Sequence, residues 1–118
     1  MNLSHEQQEF ARQVGQLISH IYEQGYTCTL GEALRTQEQA DLYAKQGKGI
    51  HDSLHCKKLA IDLNLFDLQG NYITNFYDYK KIGVIWESLD AKNRWGGFFV
   101  SKYDGHIVDA DHFERNAK

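Results

Sequence analysis

Residues 59–65 alternate strictly between apolar and polar side chains, and this limits the chain to folds built around a β-strand. The two sides of the alternation are Leu59, Ile61, Leu63 and Leu65 against Ala60, Asp62 and Asn64. A period of two residues predicts a strand with one buried face. The Asp62 carboxylate then lies in the middle of the polar face, where it needs a partner or water.

Three segments have apolar residues at helical spacing. The first covers residues 4–23, is opened by a capping pair that begins at Ser4, and is closed by Gly25. The second covers residues 36–47 and begins with a similar capping pair, and the third covers residues 79–93. Each segment predicts an amphipathic α-helix with one face in the core.

Shorter patterns complete the expected architecture. Residues 26–30 alternate with Tyr26, Cys28 and Leu30 on one side, which predicts a second strand with one buried face. Residues 47–58 show no periodicity and predict an ordered loop, and residues 98–114 predict short strands. The fold class is therefore α+β, with about three helices packed on a small, mostly antiparallel sheet.

Composition narrows the class of protein. The chain has 118 residues, 42% of them hydrophobic and 25% charged, which predicts a single globular domain over residues 1–118. A net charge of -3 with both signs scattered argues against tight nucleic-acid binding. No apolar stretch approaches the length of a membrane span, and the first residues lack the features of a signal peptide. We expect no membrane insertion, a cytoplasmic location in the producing cell, and two cysteines that remain thiols.

Four of the six histidines lie in the segments that packing explains least: His51, His55, His106 and His112. His55 precedes Asp62 by seven residues, and His112 lies among three carboxylates in residues 109–114. Two histidines and one aspartate are a complete protein ligand set for a catalytic zinc, because the fourth tetrahedral position stays open for water. Spacing alone leaves open a surface histidine and a strand aspartate paired with Lys or Arg, since the HEXXH zinc signature is absent.

Two segments together resemble the paired motifs S-x-H-x6-D and D-x-x-H of the M15 zinc peptidases. The first runs from Ser53 to Asp62 and the second from Asp109 to His112. This family includes D,D-carboxypeptidases and D-Ala-D-Ala dipeptidases of the VanY and VanX type. It also includes small phage endolysins that act as L-alanyl-D-glutamate peptidases, which this chain resembles most.

The resemblance implies a role for each matching residue. The implied zinc ligands are His55, Asp62 and His112. Asp109 matches the general base, while the motif leaves its acidic neighbours Asp111 and Glu114 unassigned. Arg35 matches an arginine that faces the scissile carbonyl or a substrate carboxylate, and Ser53 matches a serine beside the site. The implied fold is that of the hedgehog and D,D-peptidase domains.

Lys58 departs from the family pattern, which has glycine at this position. If that glycine supplies a positive φ, lysine is strained there by about 1 kcal/mol or more, or the loop follows a different path. The family's Trp-Gly-Gly turn is matched by Trp95, Gly96 and Gly97, whose glycines let the backbone approach a neighbouring strand or a ligand closely. Of these two, we expect the strand.

The resemblance implies a zinc-dependent peptidase that cleaves an amide bond in the peptide stem of bacterial peptidoglycan. An L-alanyl-D-glutamate endopeptidase of phage-endolysin type is the first expectation, a monomer that reaches the cell wall after release from the cell. One alternative is a D,D-carboxypeptidase or dipeptidase of the same family. Another is a non-catalytic wall-binding or tail-associated domain that keeps the fold.

Overall fold

The computed structural model describes residues 2–33, 36–46, 54–99 and 109–116, which form an α+β fold. Its α-helices are α1 (Leu3–Glu23), α2 (Gln37–Lys45) and α3 (Phe76–Leu89). Its strands are β1 (Thr27–Leu30), β2 (Ala60–Phe66), β3 (Asn93–Trp95) and β4 (His112–Arg115). Two 3-10 helices, Leu54–Lys57 and Gly96–Phe98, precede β2 and follow β3. The expected α+β class with an antiparallel sheet is confirmed in these ranges, but the helices that pack on the sheet are two, α1 and α3, rather than about three.

The four strands form one sheet in the order β1-β2-β4-β3, and all neighbouring pairs are antiparallel. The alternating segment is the central strand β2, as expected. Its apolar side is buried, with Leu59, Leu63 and Leu65 at most 1% exposed. The polar side chains of β2, Asp62 and Asn64, therefore project from the opposite face of the sheet.

Two helices cover the buried face of the sheet. Trp86 of α3 is fully buried and connects the two helices to the sheet. Its ring packs edge-on against Phe10 of α1 and against Phe113 of β4. The Trp86 indole N–H also donates to the backbone carbonyl of Glu114 at 3.0 Å. This contact ties α3 to the strand that carries His112. Among the described residues, no helix is both long enough and apolar enough to cross a membrane.

The boundaries of α1 and α3 differ from expectation, and α3 begins at Phe76, three residues before the predicted start. α1 begins one residue before Ser4, because the side chain of Asn2 accepts the backbone N–H of His5 and forms the N-cap. α3 ends at Leu89, four residues before the predicted end. The extended backbone of Asp90 ends this helix, and its carboxylate accepts from Lys92 N and from Arg115 Nη1. The ion pair between Asp90 and Arg115, which are distant in sequence, therefore determines the residue at which α3 ends.

Other expectations are met or corrected locally. Gly25 closes α1 with a φ of +90°, and Thr36 caps α2 by accepting the N–H of Gln39. Leu30 is 66% exposed rather than buried, because it lies at the end of the edge strand β1, and of the three alternating residues only Cys28 and Tyr26, which precedes β1, pack against the core. The end of the predicted loop at residues 47–58 is a 3-10 helix, and residues 47–53 and 100–108 lie outside the described ranges.

Candidate metal centre

The pairing of β2 with β4 brings the predicted ligands Asp62 and His112 together. These residues are direct partners in the antiparallel register, so their side chains project from the same face of the sheet. The distance from Asp62 Oδ1 to His112 Nδ1 is 3.4 Å. Two residues that are remote in sequence thus become neighbours through strand pairing.

His55 completes the group from the 3-10 helix that precedes β2. Its side chain is 2% exposed, and its Nε2 lies 3.4 Å from Asp62 Oδ1 and 3.2 Å from His112 Nδ1. Among the described residues, His55, Asp62 and His112 are the one set of three or more His, Cys, Asp and Glu side chains with converging donor atoms. The structure thus brings together the three residues that the resemblance implies as ligands.

The distances among the three donor atoms fit a tetrahedral metal ion. A zinc ion at about 2.0–2.2 Å from each nitrogen or oxygen ligand separates those ligands from one another by about 3.3–3.5 Å. The observed separations are 3.2, 3.4 and 3.4 Å, so the atoms form a nearly equilateral triangle, one face of such a tetrahedron. The donor set is also one that zinc prefers, and three ligands leave the fourth position open.

The alternative of a strand aspartate paired with Lys or Arg does not match the described surroundings of Asp62. Among the described residues, its ion-pair partners are the two imidazoles. Burial opposes ionisation of Asp62, but the hydrogen bonds with His112 and His55 outweigh it and lower the pKa of Asp62 to about 2. The carboxylate is therefore anionic at neutral pH, as a metal ligand must be.

Lys58 adopts the conformation that a glycine supplies at this position. Its φ of +57° makes it the one non-glycine residue with positive φ among the described residues. The turn is closed by hydrogen bonds from Lys58 N to His55 O at 3.3 Å and from Leu59 N to Leu54 O at 3.0 Å. The chain thus passes from the 3-10 helix into β2 through a left-handed residue and does not need a different path. Lys58 adopts this conformation despite the backbone strain that it costs a residue with a side chain.

Glu114 is a site residue that the sequence motif leaves unassigned. Its side chain is 7% exposed, and its Oε1 lies 2.8 Å from His112 Nε2. Its other oxygen, Oε2, accepts from Arg94, with the Nε contact at 2.8 Å. Burial opposes the charge on Glu114, but His112 and Arg94 together lower its pKa. The only sequence signal for this contact is the two-residue spacing between His112 and Glu114, which places them on one face of a strand.

The same contacts act on His112. Burial favours the neutral imidazole, but hydrogen bonds with Asp62 and Glu114 outweigh this effect and raise the pKa of His112 to about 9. In the metal-free protein His112 is therefore protonated at neutral pH. A metal ion that binds Nδ1 must displace this proton.

A tight turn places Asp109 beside His112. The backbone N–H of His112 donates to the carbonyl of Asp109 at 3.1 Å, and the Trp95 indole N–H donates to the carbonyl of Ala110 at 2.7 Å. Gly96 lies against this turn, since a Cβ on Gly96 would lie 2.2 Å from the Asp109 carbonyl oxygen. Asp109 itself is exposed to solvent.

The two glycines after Trp95 lie against different parts of the structure. Gly96 makes room for the turn at the start of β4, as expected for an approach to a strand. Gly97 instead faces the Trp95 ring, where a Cβ would lie 2.1 Å from the indole. The helix residue Gly83 approaches the same ring equally closely. The Trp-Gly-Gly turn therefore packs the indole whose N–H holds the Asp109 turn.

Several predicted residues are not placed. Arg35 and Ser53 lie outside the described residues, as do His51 and His106. Cys56 is half-buried beside His55, and its thiol lies 3.8 Å from the carbonyl of Thr36 rather than among the three ligands.

A comparison with solved structures finds the L-Ala D-Glu endopeptidase ChiX of Serratia marcescens, at a TM-score of 0.61 and 20% sequence identity. The match covers 75% of this chain and 66% of that chain, so this chain spans just under two thirds of that structure's length. Likeness at this identity shows a shared fold and does not assign an activity. No protein-family model matches the sequence, and no similar curated protein is found.

Proposed function

We propose that the chain is a zinc-dependent peptidase that hydrolyses an amide bond in the stem peptide of bacterial peptidoglycan. The observation that carries this proposal is the triangle of donor atoms on His55, Asp62 and His112, with sides of 3.2, 3.4 and 3.4 Å. The fold shared with an L-Ala D-Glu endopeptidase supports the choice of substrate. The bond between L-alanine and D-glutamate is therefore the first candidate for cleavage.

The three side chains would hold Zn²⁺ through His55 Nε2, Asp62 Oδ1 and His112 Nδ1. A zinc ion in such a site polarises a carbonyl group and lowers the pKa of a bound water toward about 7. Two neutral imidazoles and one carboxylate leave a net positive charge at the centre once the ion is bound. The nearly complete burial of His55 and His112 keeps bulk water away from the ligand atoms.

Asp109 is the proposed general base. Its position in the turn before His112 and its exposure to solvent support this role. In this role its carboxylate accepts a proton from the attacking water and later returns it to the leaving amine. Arg35 is proposed to stabilise the oxyanion or bind a substrate carboxylate, and Ser53 to bind substrate, both on the family resemblance.

The proposal includes the wider setting implied by the resemblance. The partner is the peptidoglycan stem peptide, not nucleic acid or a membrane, and the active form is a monomer. The protein would remain cytoplasmic in the producing or phage-infected cell and reach the wall after release, as an endolysin does. These statements rest on the resemblance, and the exclusion of nucleic acid rests also on the net charge of -3.

Incubation of the purified protein with Zn²⁺ and muropeptides, followed by mass spectrometry of the products, tests the proposal. Products cut between L-alanine and D-glutamate are the expected result. Loss of a terminal D-alanine would assign the D,D-carboxypeptidase activity instead. Intact muropeptides that nevertheless bind the protein would indicate the non-catalytic wall-binding domain. The Asp62→Asn variant is the matched control, because it keeps the side-chain volume and removes the anionic ligand.

A further inference from the structure

We propose that Glu114, held in place by Arg94, is a positioning residue that selects which nitrogen of His112 faces the metal ion. This inference rests on the proposed zinc site. It concerns a carboxylate that the motif does not assign and an arginine on a neighbouring strand. It also predicts that the two histidine ligands carry their protons on different ring nitrogens.

The two nitrogens of His112 face different groups. Nδ1 lies 3.2 Å from His55 Nε2 and 3.4 Å from Asp62 Oδ1, in the ligand triangle. Nε2 lies 2.8 Å from Glu114 Oε1, on the opposite side of the ring. A nitrogen binds a metal through its lone pair, so the proton of a neutral His112 must lie on Nε2. Glu114 Oε1 lies at hydrogen-bond distance from Nε2 and is placed to accept that proton.

Neighbouring strands hold Glu114 in this position. Arg94 is the register partner of Glu114 across β3 and β4. Arg94 Nε and Nη2 both donate to Glu114 Oε2, which leaves Oε1 to His112. The two carboxylate oxygens therefore serve separate partners. In a simple surface ion pair, the two carboxylate oxygens need not bind different partners, and the carboxylate is usually exposed. The Glu114 side chain is only 7% exposed.

Contacts around the pair support a fixed geometry. The Glu114 backbone carbonyl accepts the buried Trp86 indole N–H at 3.0 Å. The Arg94 guanidinium lies 5.7 Å from the centre of the Phe99 ring, and that ring lies 5.8 Å from the His112 ring. Burial of a carboxylate is unfavourable unless charge-assisted hydrogen bonds compensate, and His112 and Arg94 supply them. Glu114 is thus a fixed acceptor aimed at one imidazole nitrogen.

His55 has the opposite arrangement, because its Nε2 faces the triangle. In the zinc-bound protein, His55 should carry its proton on Nδ1 and His112 on Nε2. Long-range ¹H–¹⁵N correlation spectra distinguish these tautomers in the wild-type protein without any substitution. Two histidines with the same tautomer in the zinc-bound protein would overturn the inference.

Metal affinity, measured by competition with a chromophoric chelator, gives the second test. Loss of an outer carboxylate partner typically lowers metal affinity 10–100-fold, so we expect about tenfold weaker Zn²⁺ binding in Glu114→Gln and a larger loss in Glu114→Ala. The absorption spectrum of bound Co²⁺ should also change, because the imidazole is less constrained. Glu9→Gln, which breaks the exposed pair with Arg12, is the matched control and should bind Zn²⁺ like the wild type.

The outcomes separate the two proposals. If the wild-type chain binds no Zn²⁺, the proposed function fails. If the wild type binds Zn²⁺ and both Glu114 variants bind it equally well, with unchanged Co²⁺ spectra, the positioning role fails. Circular dichroism identifies any variant that does not fold, and the wild-type tautomer measurement then decides the question alone.

Discussion

Gly96 and Asp109 are in such close contact that no side chain fits between them, since a Cβ on Gly96 would lie 2.2 Å from the Asp109 carbonyl oxygen. The same Cβ would lie 2.8 Å from the Cβ of His112. The glycine therefore determines how closely the turn that carries the proposed base and one proposed ligand approaches β3. The contact is with backbone, so a flexible side chain cannot relieve it.

Gly96→Ala should accordingly displace the turn at the start of β4. We expect a loss of about 1–3 kcal/mol in the free energy of unfolding, as for overpacked sites, together with weaker Zn²⁺ binding. Denaturant unfolding and chelator competition measure the two effects. Gly15→Ala in α1 is the control, because nothing lies within 4 Å of its added Cβ, and it should stabilise the helix by about 0.5–1 kcal/mol. Unchanged stability and affinity in Gly96→Ala would contradict this assignment.

Lys58→Gly should make the protein more stable. The left-handed conformation of Lys58 costs about 1–2 kcal/mol, whereas the greater freedom of glycine in the unfolded chain costs about 0.4–1 kcal/mol. The net gain in the free energy of unfolding is then between about zero and about 1.6 kcal/mol, measured by denaturant titration. The neighbouring exposed Lys57 lacks a positive φ, so Lys57→Gly should destabilise the chain. A destabilised Lys58→Gly variant would show that the lysine side chain has a stabilising contact of its own.

Zinc should stabilise the folded chain through the three proposed ligands. A ligand present at 100 times its dissociation constant adds about 2.7 kcal/mol to the free energy of unfolding, so Zn²⁺ should raise the Tm clearly. In Asp62→Asn this increase should be nearly lost, because an anionic ligand is missing. Asp78→Asn removes a carboxylate that accepts from Tyr26, away from the triangle, and should retain the zinc-dependent increase. Equal increases in both variants would exclude Asp62 as a ligand.

The stability of the metal-free protein should decrease at alkaline pH. Burial opposes protonation of His112, yet Asp62 and Glu114 raise its pKa from 6.5 to about 9. A group with a raised pKa in the folded state stabilises fully below its unfolded pKa, and this contribution is lost as the pH rises through the folded value. The free energy of unfolding in the presence of a chelator should therefore fall between pH 6.5 and about 9. His112→Gln should flatten this part of the profile, and a flat wild-type profile would argue against the raised pKa.

Asp109→Ala should separate catalysis from metal binding. Removal of a general base typically lowers the rate by about 10²–10⁴-fold, and we expect a loss of this size in kcat against muropeptides. The affinity for Zn²⁺ should remain close to that of the wild type, because the three ligand atoms stay in place. Asp111→Asn tests the neighbouring carboxylate. Burial and the negative charges of Asp62 and Asp109 raise the pKa of this carboxyl group. Full activity in Asp109→Ala with loss in Asp111→Asn would transfer the role to Asp111.

Local patterns in the sequence predict much of the fold. The alternation at residues 59–65 identifies β2, and the glycine after α1 and the Thr36 cap of α2 mark helix ends correctly. β3 could not be predicted, because a strand of three residues is too short to show an alternating pattern. The end of α3 could not be predicted either, because an ion pair between Asp90 and Arg115 determines where the helix stops.

For the candidate site, the motif pair indicates which three residues to compare, while their spacing in the sequence alone favours an ion pair over a metal site. The distances among their donor atoms depend on the β2–β4 register, which brings together side chains up to 57 positions apart. The role of Glu114 depends on β3 as well, since Arg94 occupies one carboxylate oxygen and leaves the other to His112.

The amino-acid sequence by itself determined the helices, the central strand and the identity of the candidate ligands, because periodicity, caps and motifs depend on residues close together in the chain. Only the tertiary structure decided the shape of the donor triangle, the left-handed turn at Lys58 and the nitrogen that His112 presents. The donor triangle and the contacts of His112 depend on strands distant in sequence, whose alignment is set by packing of a common core, whereas the turn at Lys58 is closed by hydrogen bonds within residues 54–59.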